Sequence, residues 1–160
     1  MRRLPALPLR SRGIRLTVKA ARAWFDGAAR GNPGEAGFGL VVETDGAVEE
    51  HAGYLGRTTN NVAEYSGLLA ALTWARHHGV EELSLFGDSE LVLKQLSGVY
   101  KVKAAHLMPL FLRALALRRQ IPRVRIQHVP RKENARADKL SNRAIDERLP
   151  VPEWLQPAIR

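Results

Sequence analysis

The stretch Trp24 to Gly39, WFDGAARGNPGEAGFG, decides how the rest of the chain is read. Ala23, Trp24 and Phe25 form an apolar run that delivers one carboxylate, Asp26, into a glycine-rich turn. Asn32-Pro33-Gly34 has turn chemistry, proline setting one dihedral and glycine accepting a positive φ. A second strand-like run, Phe38 to Val42, follows it. The pattern predicts strands over 22–28 and 37–44, with Asp26 close to the end of the first. A carboxylate at the end of a buried strand is costly unless something pairs with it, and a cation is one good partner.

Working outward, Asp45-Gly46 is a hairpin signal that leads into a third strand over 47–55, so the first three strands form an antiparallel meander. The period changes at Thr58. Tyr65, Leu68, Leu69, Leu72 and Ala75 follow helical spacing and predict a helix over 61–78, with Gly79 just beyond it. Glu82 to Phe86 reads as a short strand stopped by Gly87, and Ser89 as the cap of a helix over 89–97. A helix over 105–119, a fifth strand over 124–129 and a last helix over 133–147 complete the order, Pro150 and Pro152 stopping the last. Three strands followed by alternating helix and strand define an α/β chain, a five-stranded mixed sheet with helices packed on it. The expected domain covers 21–148, between a basic, flexible arm over 1–20 and a tail over 149–160.

Composition narrows the partners. The 160 residues are 45% hydrophobic, enough for one ordinary core. Twenty-five Lys and Arg against 16 Asp and Glu leave a net charge of +9, which attracts polyanions such as nucleic acid. No run approaches the roughly 18 apolar residues of a membrane-spanning helix. The chain has no cysteine, which excludes disulfides and thiolate metal sites and fits a reducing compartment, so a cytoplasmic location is expected.

Asp26, Glu64, Asp88 and Asp138 each have a local explanation. Asp26 precedes glycine in a turn, and Asn61 with Glu64 has the spacing of a capping box. Asp88 would be favoured by the positive end of the helix that starts at Ser89, and Asp138 lies between Arg136 and Lys139 as one more charge on a solvated face. Taken together they have another reading. If the first and fourth strands are parallel neighbours, Asp26 and Asp88 emerge on one sheet edge, and Glu64 and Asp138, early in their helices, lean toward it. Converging carboxylates raise one another's pKa, and hard divalent cations with oxygen ligands relieve that cost. An acidic, cation-holding cup on a basic protein suits hydrolysis of a phosphodiester.

The segments DGAARGNPG, TTNNVAEYSGLLAAL, GDSELVLKQLSG, YKVK and RKENARADKLS, in this order and spacing, resemble ribonuclease HI from about Ala21 to Ile145. The resemblance implies the ribonuclease H fold and divalent-metal-assisted endonucleolytic cleavage of the RNA strand of RNA–DNA hybrids, leaving 5′-phosphate and 3′-hydroxyl ends. Mg²⁺ is the implied cofactor, with Mn²⁺ as its substitute, and the working unit a monomer. Motif by motif, it assigns metal binding to Asp26, Glu64, Asp88 and Asp138. It places Gly27, Asn32, Thr59, Asn60 and Asn61 along the hybrid backbones, where Asn and Thr bond phosphates and 2′-hydroxyls without demanding a sequence. Loss of one carboxylate would instead have indicated a hybrid-binding module, and a DNA-directed nuclease of the same fold is disfavoured by the TTNN and YKVK segments.

The chain departs from well-studied bacterial members in three places. The basic protrusion between the two middle helices is missing, only Ser97 to Ala104 joining them, and Lys101 and Lys103 remain as phosphate contacts. The run Val129 to Asn134 is too short for the flexible loop that carries a catalytic histidine, and Arg131 is the expected substitute. His128, inside the fifth strand, is read as a packing residue. Glu90 stands where a substrate-binding glutamine is usual. The segment VPRKENARAD resembles a compact subgroup, some of it with a broader substrate range, which puts double-stranded RNA beside the hybrid as an expected substrate.

Overall fold

The computed structural model describes residues 18–159. Five strands form one sheet in the order β3-β2-β1-β4-β5, with β1 over Ala20–Gly31, β2 over Gly34–Thr44, β3 over Ala47–Thr58, β4 over Glu82–Gly87 and β5 over Arg123–His128. β1 runs antiparallel to β2 and parallel to β4, and β4 is parallel to β5. The two-residue hairpin falls where Asp45-Gly46 predicts it, Thr44 facing Ala47 and Gly46 at φ 78°. Helices α1 (Asn60–His77), α2 (Glu90–Leu96), α3 (Met108–Arg119), α4 (Ala135–Glu147) and the short α5 (Gln156–Ile159) surround it. Of the expected arm, residues 1–17 lie outside the described part. Val18 and Lys19 are tied by backbone bonds to His78, Glu81 and Glu82, and Ala20 starts β1.

Alternation along β2 sorts the helices onto two faces. Phe38, Leu40 and Val42 point into the main core with Phe25 and α1, whereas Val41 joins Ala137 and Leu140 of α4 on the other face. Gly37 and Gly39 explain how closely α4 sits. A Cβ on Gly39 would lie 2.4 Å from the Ala137 carbonyl oxygen, and one on Gly37 2.9 Å from that of Ser141. On the first face, α1 is buried at every residue from Ala63 to Ala75, because it is enclosed by the sheet, α3 and α5. The expected apolar stripe is therefore only part of its buried surface.

Residues after α4 cover the β3 edge, which would otherwise present unpaired backbone groups. Tyr54 N–H donates to the Leu149 carbonyl at 2.7 Å, and Leu155 is fully buried. His51 pairs with Glu49 and meets the edge of Trp154, and His78 stacks on Trp74, so both histidines serve packing.

Two boundaries differ from the sequence expectation in ways that matter for the site. β1 does not end near Asp26 but continues five residues further, paired with β2 as far as Gly31 opposite Gly34. What stops near Asp26 is the parallel ladder to β4, whose last pair is Trp24 with Phe86. The cap of α1 is Thr59, not Asn61: Thr59 is extended and its Oγ1 accepts from Val62 N–H at 3.2 Å. Glu64 is thereby released from any capping box.

Candidate active site

The end of the β1–β4 ladder leaves a step in the sheet, and a cavity of about 470 Å³ opens there. Asp26 reaches it from β1, Glu64 from the second turn of α1, Asp88 from the residue after β4 and Asp138 from the first turn of α4. Carboxylate oxygens of Asp26, Glu64 and Asp88 all lie within 4.8 Å of one another. Asp138 stands at the rim, its Oδ1 3.4 Å from Asn142 Nδ2 and 4.0 Å from Arg131 Nη2.

Local sequence explains the convergence. Gly27 has no side chain because a Cβ there would lie 2.2 Å from the Ala63 carbonyl carbon and 2.3 Å from Glu64 N. That contact lets Gly27 N–H donate to Glu64 Oε1 at 2.8 Å. Asn134, buried where the 3₁₀ turn Arg131–Asn134 enters α4, donates from Nδ2 to the Phe25 carbonyl at 2.9 Å and ties that turn to β1 beside Asp26. Ser89 caps α2 as predicted, Oγ accepting from Val92 N–H at 3.3 Å, and fixes the chain just after Asp88.

The electrostatics are those of an incomplete site. Burial, reinforced by Glu64 and Asp88, holds the Asp26 carboxyl far above the usual carboxylate range, and burial likewise raises Glu64. Glu64 Oε2 is buried with no hydrogen-bond partner. An oxygen-only donor set with an orphaned buried carboxylate oxygen fits a hard divalent cation, which would lower both pKa values and fill the vacant lone pairs.

The other predicted residues divide between this cavity and its surroundings. Gly27, Asn60 and Arg131 line it, and Asn32 Oδ1 accepts from Asn60 N–H at 3.1 Å, so Asn32 and Thr59 shape the start of α1. Asn61, Lys101 and Lys103 line a neighbouring groove of about 570 Å³ with Tyr100 and Gln95. Glu90 is held by Lys94 at 2.5 Å, so its charge is partly neutralised locally. His128 corrects the sequence reading. It is exposed at the end of the edge strand β5, lines the same cavity as the four acids, and has Nε2 3.2 Å from the Asp88 carbonyl oxygen. By alternation His128 shares the face of Val124 and Ile126, which pack against the main core, and it is exposed because it ends the strand where the cavity opens. Arg30 and Asn142 also line the cavity and were missed. Two spacings carried the signal: Arg30 follows Asp26 by four residues along a strand, and Asn142 follows Asp138 by four along a helix, so each shares a face with its acid.

A carboxylate cup thus stands at a step in an α/β fold whose mixed sheet has the order β3-β2-β1-β4-β5. The reverse-transcriptase-like family model matches residues 24–144. Ribonuclease HI of Halobacterium salinarum is 46% identical over 127 residues, 78% of this chain and 64% of that protein. A bifunctional protein of Mycobacterium tuberculosis is 46% identical over 124 residues, 76% of this chain but 34% of its own length, so this chain spans about a third of that relative. The crystal structure of LC11-RNase H1 in complex with an RNA/DNA hybrid superimposes with a TM-score of 0.75 at 40% identity, covering 80% of this chain and 98% of that one. The chain belongs to the ribonuclease H family.

Proposed function

We propose that the chain is an endoribonuclease that hydrolyses the RNA strand of RNA–DNA hybrids with divalent-cation assistance, leaving 5′-phosphate and 3′-hydroxyl ends. The observation that carries this is the meeting of Asp26, Glu64 and Asp88 within 4.8 Å at an open cavity, with Glu64 Oε2 left unpartnered. Such a cup repels a phosphodiester unless cations occupy it. Asp26, Glu64, Asp88 and Asp138 would hold Mg²⁺, or Mn²⁺ in its place. When bound, these ions supply Lewis-acid polarisation of the phosphate and activation of water.

The chain's own residues orient the substrate around the cup. Asn32, Thr59, Asn60 and Asn61 offer bonds to phosphates and 2′-hydroxyls at the start of α1, and Lys101 and Lys103 extend a basic groove for the second strand. Arg131, 81% exposed over the cavity, presents a permanent positive charge to the scissile phosphate. The short connection from β5 to α4, and the link from α2 to α3 without an inserted protrusion, support membership of the compact subgroup. All four acids come from one chain, which supports a monomeric working unit, and the cysteine-free sequence supports the cytoplasm as its compartment.

Gel analysis of a labelled RNA–DNA hybrid, double-stranded RNA and double-stranded DNA, each with Mg²⁺, Mn²⁺ or EDTA, tests the reading. Cleavage of the RNA strand of the hybrid with either ion, and none in EDTA, is expected. Any cutting of double-stranded RNA should be the slower reaction. Cleavage of double-stranded DNA with intact hybrid would overturn the proposal.

A further inference from the structure

Two side-chain stripes face each other across the cavity wall. Along β1, Asp26, Ala28 and Arg30 alternate onto the face that α4 covers. Along α4, Asp138, Asn142 and Asp146 recur every four residues. The stripes are joined at the end away from the cup. Arg30 Nη1 donates to Asp146 Oδ1, and Arg30 Nη2 lies 3.4 Å from Asn142 Oδ1 and 3.5 Å from its carbonyl oxygen. Asn142 Nδ2 in turn donates to the Asp138 carbonyl oxygen at 3.0 Å and lies 3.4 Å from Asp138 Oδ1.

Asp138 needs such support more than its companions do. Glu64 is buried and pinned by Gly27 N–H, and Asp26 is buried in the strand. Asp138 is 28% exposed, and besides the acids of the cup its carboxylate meets Asn142 Nδ2 and, at 4.0 Å, the Nη2 of the largely solvated Arg131. The Arg30–Asp146 pair is itself exposed, at 46% and 59%, so its contribution to stability is small and its effect is geometric.

We propose that Arg30 and Asn142 are positioning residues for Asp138, the chain Asp146–Arg30–Asn142 holding that carboxylate at the cup so that it can share a divalent cation. Arg30 fixes the rotamer of Asn142 by occupying its oxygen, which leaves the amide nitrogen to face Asp138. The proposal rests on the metal-assisted reading above. Groups that hold a ligand by its outer atoms change metal affinity by about 10–100-fold when removed.

The test is calorimetric titration of the full chain with Mn²⁺ in the absence of nucleic acid, with melting in EDTA as the folding control. Asn142→Leu should weaken Mn²⁺ binding about tenfold or more. Asp146→Asn, outside the cavity, should weaken it less but in the same direction. In a chain already carrying Asp138→Asn, adding Asn142→Leu should change nothing further, because the residue it positions is gone. Should Asn142→Leu fail to fold, Asn142→Ser and Asp146→Asn carry the same comparison. Folded Asn142 and Asp146 variants with wild-type Mn²⁺ affinity would overturn the proposal, as would an equal loss with and without the Asp138 carboxylate. Because no nucleic acid is present, absence of the coupling overturns the positioning role even if the wild-type chain cleaves hybrid. Its presence supports the role even if that chain does not.

Discussion

Gly27 N–H donates to Glu64 Oε1 at 2.8 Å, so the strand that bears Asp26 and the helix that bears Glu64 meet backbone to carboxylate with no room for a side chain between them. Gly27→Ala would force a Cβ to within 2.4 Å of the Ala63 carbonyl oxygen, with its carbon and Glu64 N closer still. Overpacking of that kind costs about 1–3 kcal/mol or more. A lower urea midpoint and loss of cleavage at temperatures where the variant remains folded are expected. An unchanged midpoint would show that α1 can retreat without penalty.

Asp88→Asn should abolish hydrolysis while hybrid affinity and melting temperature stay close to wild type. Asp88 would hold the cation directly, whereas grip on the hybrid would come from the asparagines, Thr59 and the lysine groove. The variant also removes one of the charges that raise Asp26, so the cation-free protein should lose none of its stability. Normal turnover with wild-type metal dependence would remove Asp88 from the cup.

Stability without metal should fall as pH rises. Asp26 and Glu64 titrate above their ordinary values of 3.8 and 4.5, so across the window above those values the folded chain binds more protons than the unfolded chain. Unfolding free energy then decreases with pH until the folded-state pKa values are passed. Melting curves in EDTA should shift to lower temperature between about pH 5 and 8. Saturating Mg²⁺ should flatten that slope, because a bound cation takes the place of the protons. A melting temperature independent of pH in EDTA would contradict the raised values.

Arg131→Ala should slow cleavage by about 10²–10³ with little change in affinity, as expected for loss of one charge that stabilises the transition state. Arg131→Lys should recover part of the rate. Arginine does not shuttle protons at working pH, so the pH–rate profile should lack an imidazole-like step near about 6.5. His128 is the competitor, since it lines the same cavity. A step that vanishes in His128→Ala, with Arg131→Ala at the wild-type rate, would transfer the role to His128.

Hybrid affinity should fall steeply with salt, by about 0.9 log units per neutralised phosphate for each tenfold rise. The Lys101→Ala, Lys103→Ala double variant should show a smaller slope. An unchanged slope would take the phosphate path away from the groove these lysines line.

The sequence was most informative where one residue type imposes one backbone geometry or one periodicity. Asp45-Gly46 located the hairpin, helical spacing located α1, and Ser89 capped α2. Two acids expected near strand ends and two expected early in helices were enough to suggest the cup. It was less informative where a neighbour decides. Whether β1 stops after Asp26 depends on β2 continuing to pair, which no local pattern in 26–31 reports. Asn61 and Thr59 are both good caps, and the extended backbone at Thr59 selected between them. His128 looked packed because it alternates with Val124 and Ile126, but it is the last residue of β5 and the cavity opens beside it. Arg30 and Asn142 were in plain view and became meaningful only when α4 was laid across β1.

The bond from Asn134 to the Phe25 carbonyl spans 109 residues of chain. During synthesis, which adds about 5–20 residues per second, Asp26, Glu64 and Asp88 emerge well before the segment that makes this bond and carries Asp138. A nascent chain halted before α4 would expose three acids and the face of β2 that this helix covers. Ribosome-bound intermediates, which are surrounded by RNA, should therefore be catalytically silent. The acidic cup is completed only when α4, which follows the other three acids by about fifty residues or more, has left the ribosome.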